Sequence, residues 1–297
     1  MLCAVEANPS IYFGKYTLLM TKHLSTVARI NSPARRSVML AVAATIFTTN
    51  LAYAQVDKPM PTSTATADQD GFTASFGVGF GRNGIRGTSE KTKAFPLVSV
   101  DYQSGAFFAG LSRGIGYSWL KSDALTVSTA LVGASGRREK DSDRFKGLGD
   151  VKNSAAANLA VDWTPDGAPF GLQAGMTKAF GKNLGTAFNV GVGAGFPLSD
   201  KLLFNTSLSA NYADKKRMQA HYGITAAQAL NSGYQVLTAK AGVESIEFGV
   251  GLRYAVDKQW SLSTNIGANR LQGEAAKSPI FKAKTTATGA VMATYRF

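Results

Sequence analysis

Apolar and polar residues alternate with a period of two along much of the chain, and no window carries the 3.6-residue period of a long amphipathic helix. The clearest run is Ser245 to Val256. Ile246, Phe248, Val250, Leu252, Tyr254 and Val256 point one way, and Ser245, Glu247, Gly249, Gly251, Arg253 and Ala255 point the other. In Leu184 to Phe196, the face holding Phe188, Val190, Val192 and Phe196 opposes Gly185, Asn189, Gly191, Gly193 and Gly195. Leu202 to Tyr212 sets Leu202, Phe204, Leu208 and Tyr212 against Asn205, Ser207, Ser209 and Asn211. Trp260 to Ala268 sets Trp260, Leu262, Ile266 and Ala268 against Ser261, Ser263, Asn265 and Gly267. These runs are about 9–13 residues long, the length a tilted strand needs to cross a bilayer. A soluble sandwich would pack its apolar faces into a common core. Here the second face is small and polar throughout. The pattern therefore predicts an all-β protein, a transmembrane antiparallel β-barrel with its apolar face in lipid and its small polar face in the lumen.

Twelve strands are predicted, within a range of ten to fourteen, near 72–80, 93–103, 106–119, 124–137, 151–163, 168–180, 184–197, 201–213, 234–243, 245–256, 259–271 and 283–297. Gln103-Ser-Gly105, Gly181-Lys-Asn183, Leu198-Ser-Asp-Lys201 and Val256-Asp-Lys258 read as tight turns. Phe196, Tyr212, Tyr254, Trp260, Tyr295 and Phe297 lie near strand ends, as the interfacial girdles of membrane barrels do. In the last strand Gly289, Val291, Ala293, Tyr295 and Phe297 share one face. That ending resembles the C-terminal assembly signal of bacterial outer-membrane barrels, whose final strand closes against the first. The resemblance implies recognition of Tyr295 and Phe297 by the barrel-assembly machinery.

The beginning of the chain agrees. Arg35 and Arg36 precede the apolar run Val38 to Phe47, and Ala52-Tyr53-Ala54 has the small-x-small form of a cleavage site. The run is shorter than the roughly 20 residues a spanning helix needs. Residues 1–54 thus read as a secretory signal peptide, with translation expected to start at Met20 or Met39. Residues 55–70 read as a flexible tail rich in Pro, Thr, Ala and Asp, and 71–297 as the barrel. The whole chain has 32 Lys+Arg and 19 Asp+Glu; five and one of these lie in the leader, which leaves 27 against 18, a net of +9. Cys3, the only cysteine, also lies in the leader, so the mature chain has no thiol for a disulfide or a cysteine metal site. The mean hydropathy of −0.03 is ordinary for a chain with half of each strand facing a lumen.

Candidate chemistry is sparse, and neither cofactor nor metal site is expected. His221 is the only histidine of the mature chain, and no Gly-x-Ser-x-Gly elbow accompanies it, so packing is expected of it rather than catalysis. Glu244 and Glu247 fall on opposite faces of a regular strand, which argues against an acid–base pair. Glu247 and Arg253 share the lumen face and are expected to pair there. The glycines of Gly77-Val-Gly79-Phe-Gly81 and of Gly147-Leu-Gly149 open no helix, so bending is their expected role rather than phosphate binding. The basic clusters read as solvated loops or as contacts with anionic lipopolysaccharide or murein, and the compartment excludes nucleic acid. If the termini face the periplasm, connections after even-numbered strands do too. The twelve-strand count then places 138–150 and 214–233 in the periplasm, although long loops are usually extracellular.

Lys146-Gly-Leu-Gly-Asp-Val151, His221-Tyr-Gly-Ile-Thr-Ala-Ala-Gln-Ala229 and Arg270-Leu-Gln-Gly-Glu-Ala-Ala-Lys-Ser-Pro279, with the Tyr295-Arg-Phe297 ending, resemble the MipA/OmpV family of outer-membrane proteins in their order and spacing. The likeness runs from about Phe72 to Phe297. His221-Tyr222 and Glu274 depart mildly from the family pattern. The basic stretch Gly81 to Gly87 replaces its usual acidic first loop. The resemblance implies a non-enzymatic scaffold for murein-remodelling enzymes, a lytic transglycosylase and a murein synthase. Arg137, Arg138, Lys140, Lys146, Asp150, Lys215, Lys216, Arg217, His221 and Tyr222 are the contact candidates. Two other readings stay open: a small-solute channel, warranted by the small polar lumen face, and a surface adhesin.

Overall fold

The computed structural model describes residues 70–82, 92–181 and 184–297. The leader, the tail and most of the basic first loop lie outside the described residues. Twelve antiparallel strands form a closed barrel. They are β1 (Gly71–Arg82), β2 (Thr92–Ser104), β3 (Phe107–Gly110), β4 (Gly114–Lys121), β5 (Leu125–Ala134), β6 (Ser154–Trp163), β7 (Phe170–Ala179), β8 (Thr186–Pro197), β9 (Leu202–Ala213), β10 (Gly242–Ala255), β11 (Trp260–Leu271) and β12 (Thr285–Arg296). Each strand pairs with its neighbour in sequence, and β1 closes on β12 from Thr73↔Arg296 to Gly81↔Thr288. Among the described residues no helix is long and apolar enough to cross a membrane.

The alternation determines which side meets which solvent. Phe76, Val190, Phe248, Ile266 and Val291 point outward and are 52–61% exposed. An apolar belt of that extent would aggregate in water and is at home in lipid. Gly191, Ser209, Asn211, Gly249, Gly251 and Asn265 occupy the inner face of the matching registers. Several inner glycines are required by close approach: a Cβ on Gly77 would sit 2.1 Å from the Val291 carbonyl oxygen, and one on Gly79 would sit 2.5 Å from the Phe95 ring.

The strand count agrees with the expectation, but two opposite errors cancel in it. The segment 106–119 is two strands, β3 and β4, joined by a hairpin at Leu111–Arg113 that leaves β3 only four residues long. Of the segment 234–243, only Gly242 and Val243 are strand, as the start of β10; residues 234–241 are not. They lie along the connection between β9 and β10, where Leu237 makes an isolated bridge to Ile224. The first correction moves every later connection to the other end, up to the second.

The two ends now separate cleanly. The start of β1, the end of β12 and five short turns lie at one end: residues 105–106, 122–124, 164–169, 198–201 and 256–259. Phe72, Tyr102, Trp163, Phe196, Phe204, Tyr254, Trp260 and Tyr295 ring this end on the strand ends. The long connections 135–153, 214–241 and 272–284 all lie at the opposite end, together with the short one between β7 and β8. The expectation that 138–150 and 214–233 share an end with the termini is therefore overturned.

Candidate functional site

The three long connections build a cap with its own hydrophobic core. Phe145 and Leu148 come from the first connection. Met218, Tyr222, Ile224 and Ala239 come from the second, and Ala275, Ile280 and Phe281 from the third; Ala213 and Leu271 join them from strand ends. These connections spring from β5–β6, β9–β10 and β11–β12, and the first and last are half the ring apart. Contacts between them therefore pass across the barrel mouth.

Local sequence explains the cap's short helices. α1 (Lys215–Tyr222) starts at Asp214, whose carboxylate accepts from the Arg217 backbone N–H and also from the Thr186 N–H of β8, each at 2.8 Å. One side chain thus caps the helix and ties it to the wall. α2 (Ala226–Ser232) carries a capping box between Thr225 and Gln228 and ends at Gly233 in the left-handed region. α3 (Gly273–Lys277) precedes Ser278 and Pro279. Gly147 has φ +80°, and a Cβ there would lie 2.5 Å from the Asn231 carbonyl at the end of α2. Its N–H donates to the Glu139 carboxylate. An acidic acceptor there leaves no place for a phosphate.

Buried polar groups lock the connections together. Tyr222 Oη donates to Glu244 Oε1 at 2.7 Å, and Arg217 Nε donates to Glu244 Oε2 at 3.0 Å. Ser278, fully buried, donates to the Tyr222 carbonyl at 2.7 Å. Arg144 Nε donates to the Ile280 carbonyl at 2.6 Å and its Nη2 to the Pro279 carbonyl. Lys284 Nζ donates to the carbonyls of Ser278 and Phe281, both at 2.7 Å. Burial, and then the Arg144 charge, lower the Lys284 pKa from its ordinary value.

The contact candidates divide on this framework. Arg137 is 3% exposed: its guanidinium lies over the Phe145 ring at 5.1 Å and donates to the His221 carbonyl at 3.3 Å. Burial lowers its pKa, and the Asp150 and Glu139 carboxylates oppose that. Tyr222 is 2% exposed. Neither can present a docking surface; both are bracing residues, because their polar ends serve partners inside the cap. Arg217 is half-buried on Glu244. Arg138 is paired with Asp141 at 2.8 Å, and Lys146 with Asp143 at 2.7 Å. Lys140, Lys146, Asp150, Lys215 and Lys216 are exposed at the cap end. His221 is half-buried, its ring centroid 6.4 Å from that of Tyr222.

The expected Glu247–Arg253 pair is not formed. Six residues of strand separate the two by about 20 Å. Glu247 accepts instead from Asn211 at 2.9 Å and from Asn269 at 2.5 Å, while Arg253 donates to Ser261 at 3.4 Å. The opposite-face rule for Glu244 and Glu247 is broken as well. A register shift between Val243 and Ser245 inserts Glu244 as an extra residue, so both carboxylates are on the inner side. Each has its own partners, and Glu244 is an anchor of the cap. The Asp214 and Thr225 caps act within one turn of chain, although the two-residue periodicity does not mark them. The Glu244, Ser278 and Arg144 anchors were not legible in the sequence, since their partners lie 22 or more residues away.

At the other end the Tyr295 ring packs at a tilt against Trp260 with centroids 4.9 Å apart, and meets Phe297 edge-on at 4.8 Å. Gln259 Nε2 donates to the Tyr295 hydroxyl at 2.9 Å, and the Phe297 N–H donates to the Phe72 carbonyl at 3.1 Å. Phe297 itself is 74% exposed.

Among solved structures, the CymD monoaromatic hydrocarbon channel is similar at 9% identity and a TM-score of 0.40, covering 78% of this chain and 90% of that one. The KdgM porin is similar at 10% identity and a TM-score of 0.38, covering 76% and 99%. The toluene transporter TbuX of Ralstonia pickettii is similar at 13% identity and a TM-score of 0.35, covering 78% and 90%. No curated protein matches. The profile of the family described as MltA-interacting protein MipA matches residues 74–297, from the first strand through the three capping connections to the last residue. The chain, an outer-membrane β-barrel closed by twelve strands, belongs to the MipA family.

Proposed function

We propose that this barrel is a non-enzymatic anchor that holds a murein-processing enzyme, a lytic transglycosylase or a murein synthase, beneath the outer membrane. The family's description as MltA-interacting supports a murein enzyme as partner. The observation that carries the geometry is the segregation of the two ends. Outer-membrane barrels carry short turns on the periplasmic side and long loops outside. On that rule the end with the termini and the five turns faces murein, and the cap faces outward. Docking then uses the turn end, where Asp123, Asp166, Lys201, Asp257 and Lys258 offer charge, rather than the basic residues of the cap. The exposed Lys140, Lys146, Lys215 and Lys216 face lipopolysaccharide phosphates on this reading.

The test is a pull-down of the tagged mature protein from detergent-solubilised outer membrane, with mass spectrometry of what co-purifies. A murein enzyme is expected, retained when the four cap lysines become Glu and lost when the turn-end charges are reversed. Recovery of the barrel alone, from wild type, sinks the reading. The lumen supports a second one: its Gly, Ser and Asn lining suits small polar solutes. Planar-bilayer conductance discriminates, and an absence of conductance above background removes the channel.

A further inference from the structure

The lipid-facing wall is not evenly ridged. On β5, β6 and β7 the outward residues fall in register rows. Thr129 pairs with Leu159 and Leu159 with Met176; in the next row toward the cap, Leu131 pairs with Ala157 and Ala157 with Lys178. Ala157 is the short side chain in the middle of these two rows. Leu131, Leu159 and Met176, each 37–41% exposed, stand up around it. They enclose a trough of about 510 Å³ on the outer surface, which reaches across to Ile115 and Tyr117 of β4. All of its lining lies within the described residues.

The trough is apolar along its length and cationic at its cap-side end. The Thr129 hydroxyl accepts from the Trp119 indole N–H at 2.7 Å, and the Asn158 amide donates to the Thr177 hydroxyl at 2.8 Å, so both are satisfied within the wall. Lys178 is the last outward residue of β7 and is exposed. The outward positions of β5, β6 and the rest of β7 carry no charge. Lys178 Nζ donates to the Thr186 hydroxyl at 3.1 Å and makes no ion pair with a described carboxylate. A lysine on the lipid face of a barrel is destabilising in the hydrocarbon and tolerated near the interface. Its stem can lie along apolar surface while the ammonium reaches the headgroups. The charge thus stands at headgroup level, with the trough beneath it at chain level.

We propose that the trough seats one acyl chain of lipid A, the phosphorylated glycolipid of lipopolysaccharide, with a headgroup phosphate on Lys178. The medium outside the trough is hydrocarbon, so its occupant is a lipid chain. The ammonium at the cap-side end selects an anionic headgroup. The leaflet on that side carries lipopolysaccharide when the cap faces outward. The proposal rests on that placement of the cap and not on the anchoring of a murein enzyme.

The test is mass spectrometry of intact complexes released from detergent micelles. The folded mature protein is offered diphosphoryl lipid A, dephosphorylated lipid A or phosphatidylglycerol. An adduct with diphosphoryl lipid A is expected, weakened about fivefold by Lys178→Ala and restored by Lys178→Arg. Ala157→Leu, which fills the trough and leaves Lys178 in place, should weaken it too. Both substitutions are on the outer surface, and heat-modifiable gel mobility checks that the barrel has folded. No adduct from wild type, or equal adducts from wild type and both variants, overturns the proposal. Equal retention of dephosphorylated lipid A also overturns it. Phosphatidylglycerol held as tightly, with the same dependence on Lys178, overturns lipopolysaccharide as the occupant. Placement of the cap is read separately, by labelling Lys140→Cys on intact cells with a membrane-impermeant maleimide. A labelled cap without a lipid A adduct sinks the seat alone; an unlabelled cap sinks the outward placement, and lipopolysaccharide as occupant with it.

Discussion

The two ends of the barrel join antiparallel strands in opposite ways. At the terminal end the connections are short turns, held by local bonds such as those from the Gln259 and Trp260 N–H groups to Asp257, at 2.8 and 2.7 Å. At the far end three long connections cross the mouth and bury Phe145, Met218, Ile224 and Ile280 completely. The difference teaches where a membrane barrel keeps its hydrophobic core. The wall needs little, a small cluster of Ala156, Ala179 and Leu184, because lipid solvates one face and mostly small polar residues line the other. The cap stands in water, so it must bury apolar side chains against itself to stay ordered. A cap and a wall stabilised by different solvents should respond separately to mutation.

The strongest way to break that comparison is Phe145→Ala. A fully buried aromatic truncated to Ala costs about 3–5 kcal/mol. Limited proteolysis should then cut the cap while the barrel keeps its heat-modifiable gel mobility. Simultaneous loss of both would show that cap and wall are one cooperative unit. Next is Glu244→Ala, which strands the Tyr222 hydroxyl and the Arg217 guanidinium. A hydrogen bond to a charged group contributes about 1.5–3 kcal/mol, and Arg217, a quarter exposed, recovers part of that from water. Glu244→Gln should cost less in the same proteolysis assay, since it still accepts from Tyr222.

In the wall, Gly77→Ala forces a Cβ against the Val291 carbonyl. Overpacking of this kind costs about 1–3 kcal/mol and should lower the urea midpoint of the barrel without exposing the cap to protease. A smaller effect belongs to the turn end. Hydrogen bonds from the Trp260 and Gln259 N–H groups hold the Asp257 carboxyl below its ordinary pKa of 3.8. A depressed carboxylate stabilises the fold above its unfolded pKa and loses that contribution as pH falls through the folded value. Amide exchange at Gln259 and Trp260 should therefore accelerate only below about pH 3.8, and Asp257→Asn should abolish that acid dependence. Smallest of all is Lys146→Glu. Its partner Asp143 is 91% exposed, and cap proteolysis should not change measurably.

How much of this was legible depends on which periodicity a segment kept. In β8, β9, β11 and β12, alternation, length and turn residues agreed, and the expected strands match the observed ones to within a few residues. The β3–β4 hairpin escaped because Ala109, Leu111, Ile115 and Tyr117 carry the alternation across the turn, and only Arg113 with Gly110 and Gly114 marks the break. Residues 234–243 misled for the converse reason. Their alternation is real, but Ala239 is buried in the cap core and its N–H donates to Gln219 instead of to a neighbouring strand. In the candidate site, Lys140, Lys146, Lys215 and Lys216 are exposed, as contact candidates must be. Arg137 and Tyr222 are not, because burial depends on what folds over a side chain.

The sequence by itself determined the architecture: a two-residue period tells each side chain which solvent it meets, and that information is local. It also determined the helix caps at Asp214 and Thr225, which act within one turn of chain. Only the tertiary structure decided which end each connection occupies, because one misread hairpin inverts every strand after it. It alone assembled the cap, whose Glu244, Ser278 and Arg144 bonds join residues from separate connections.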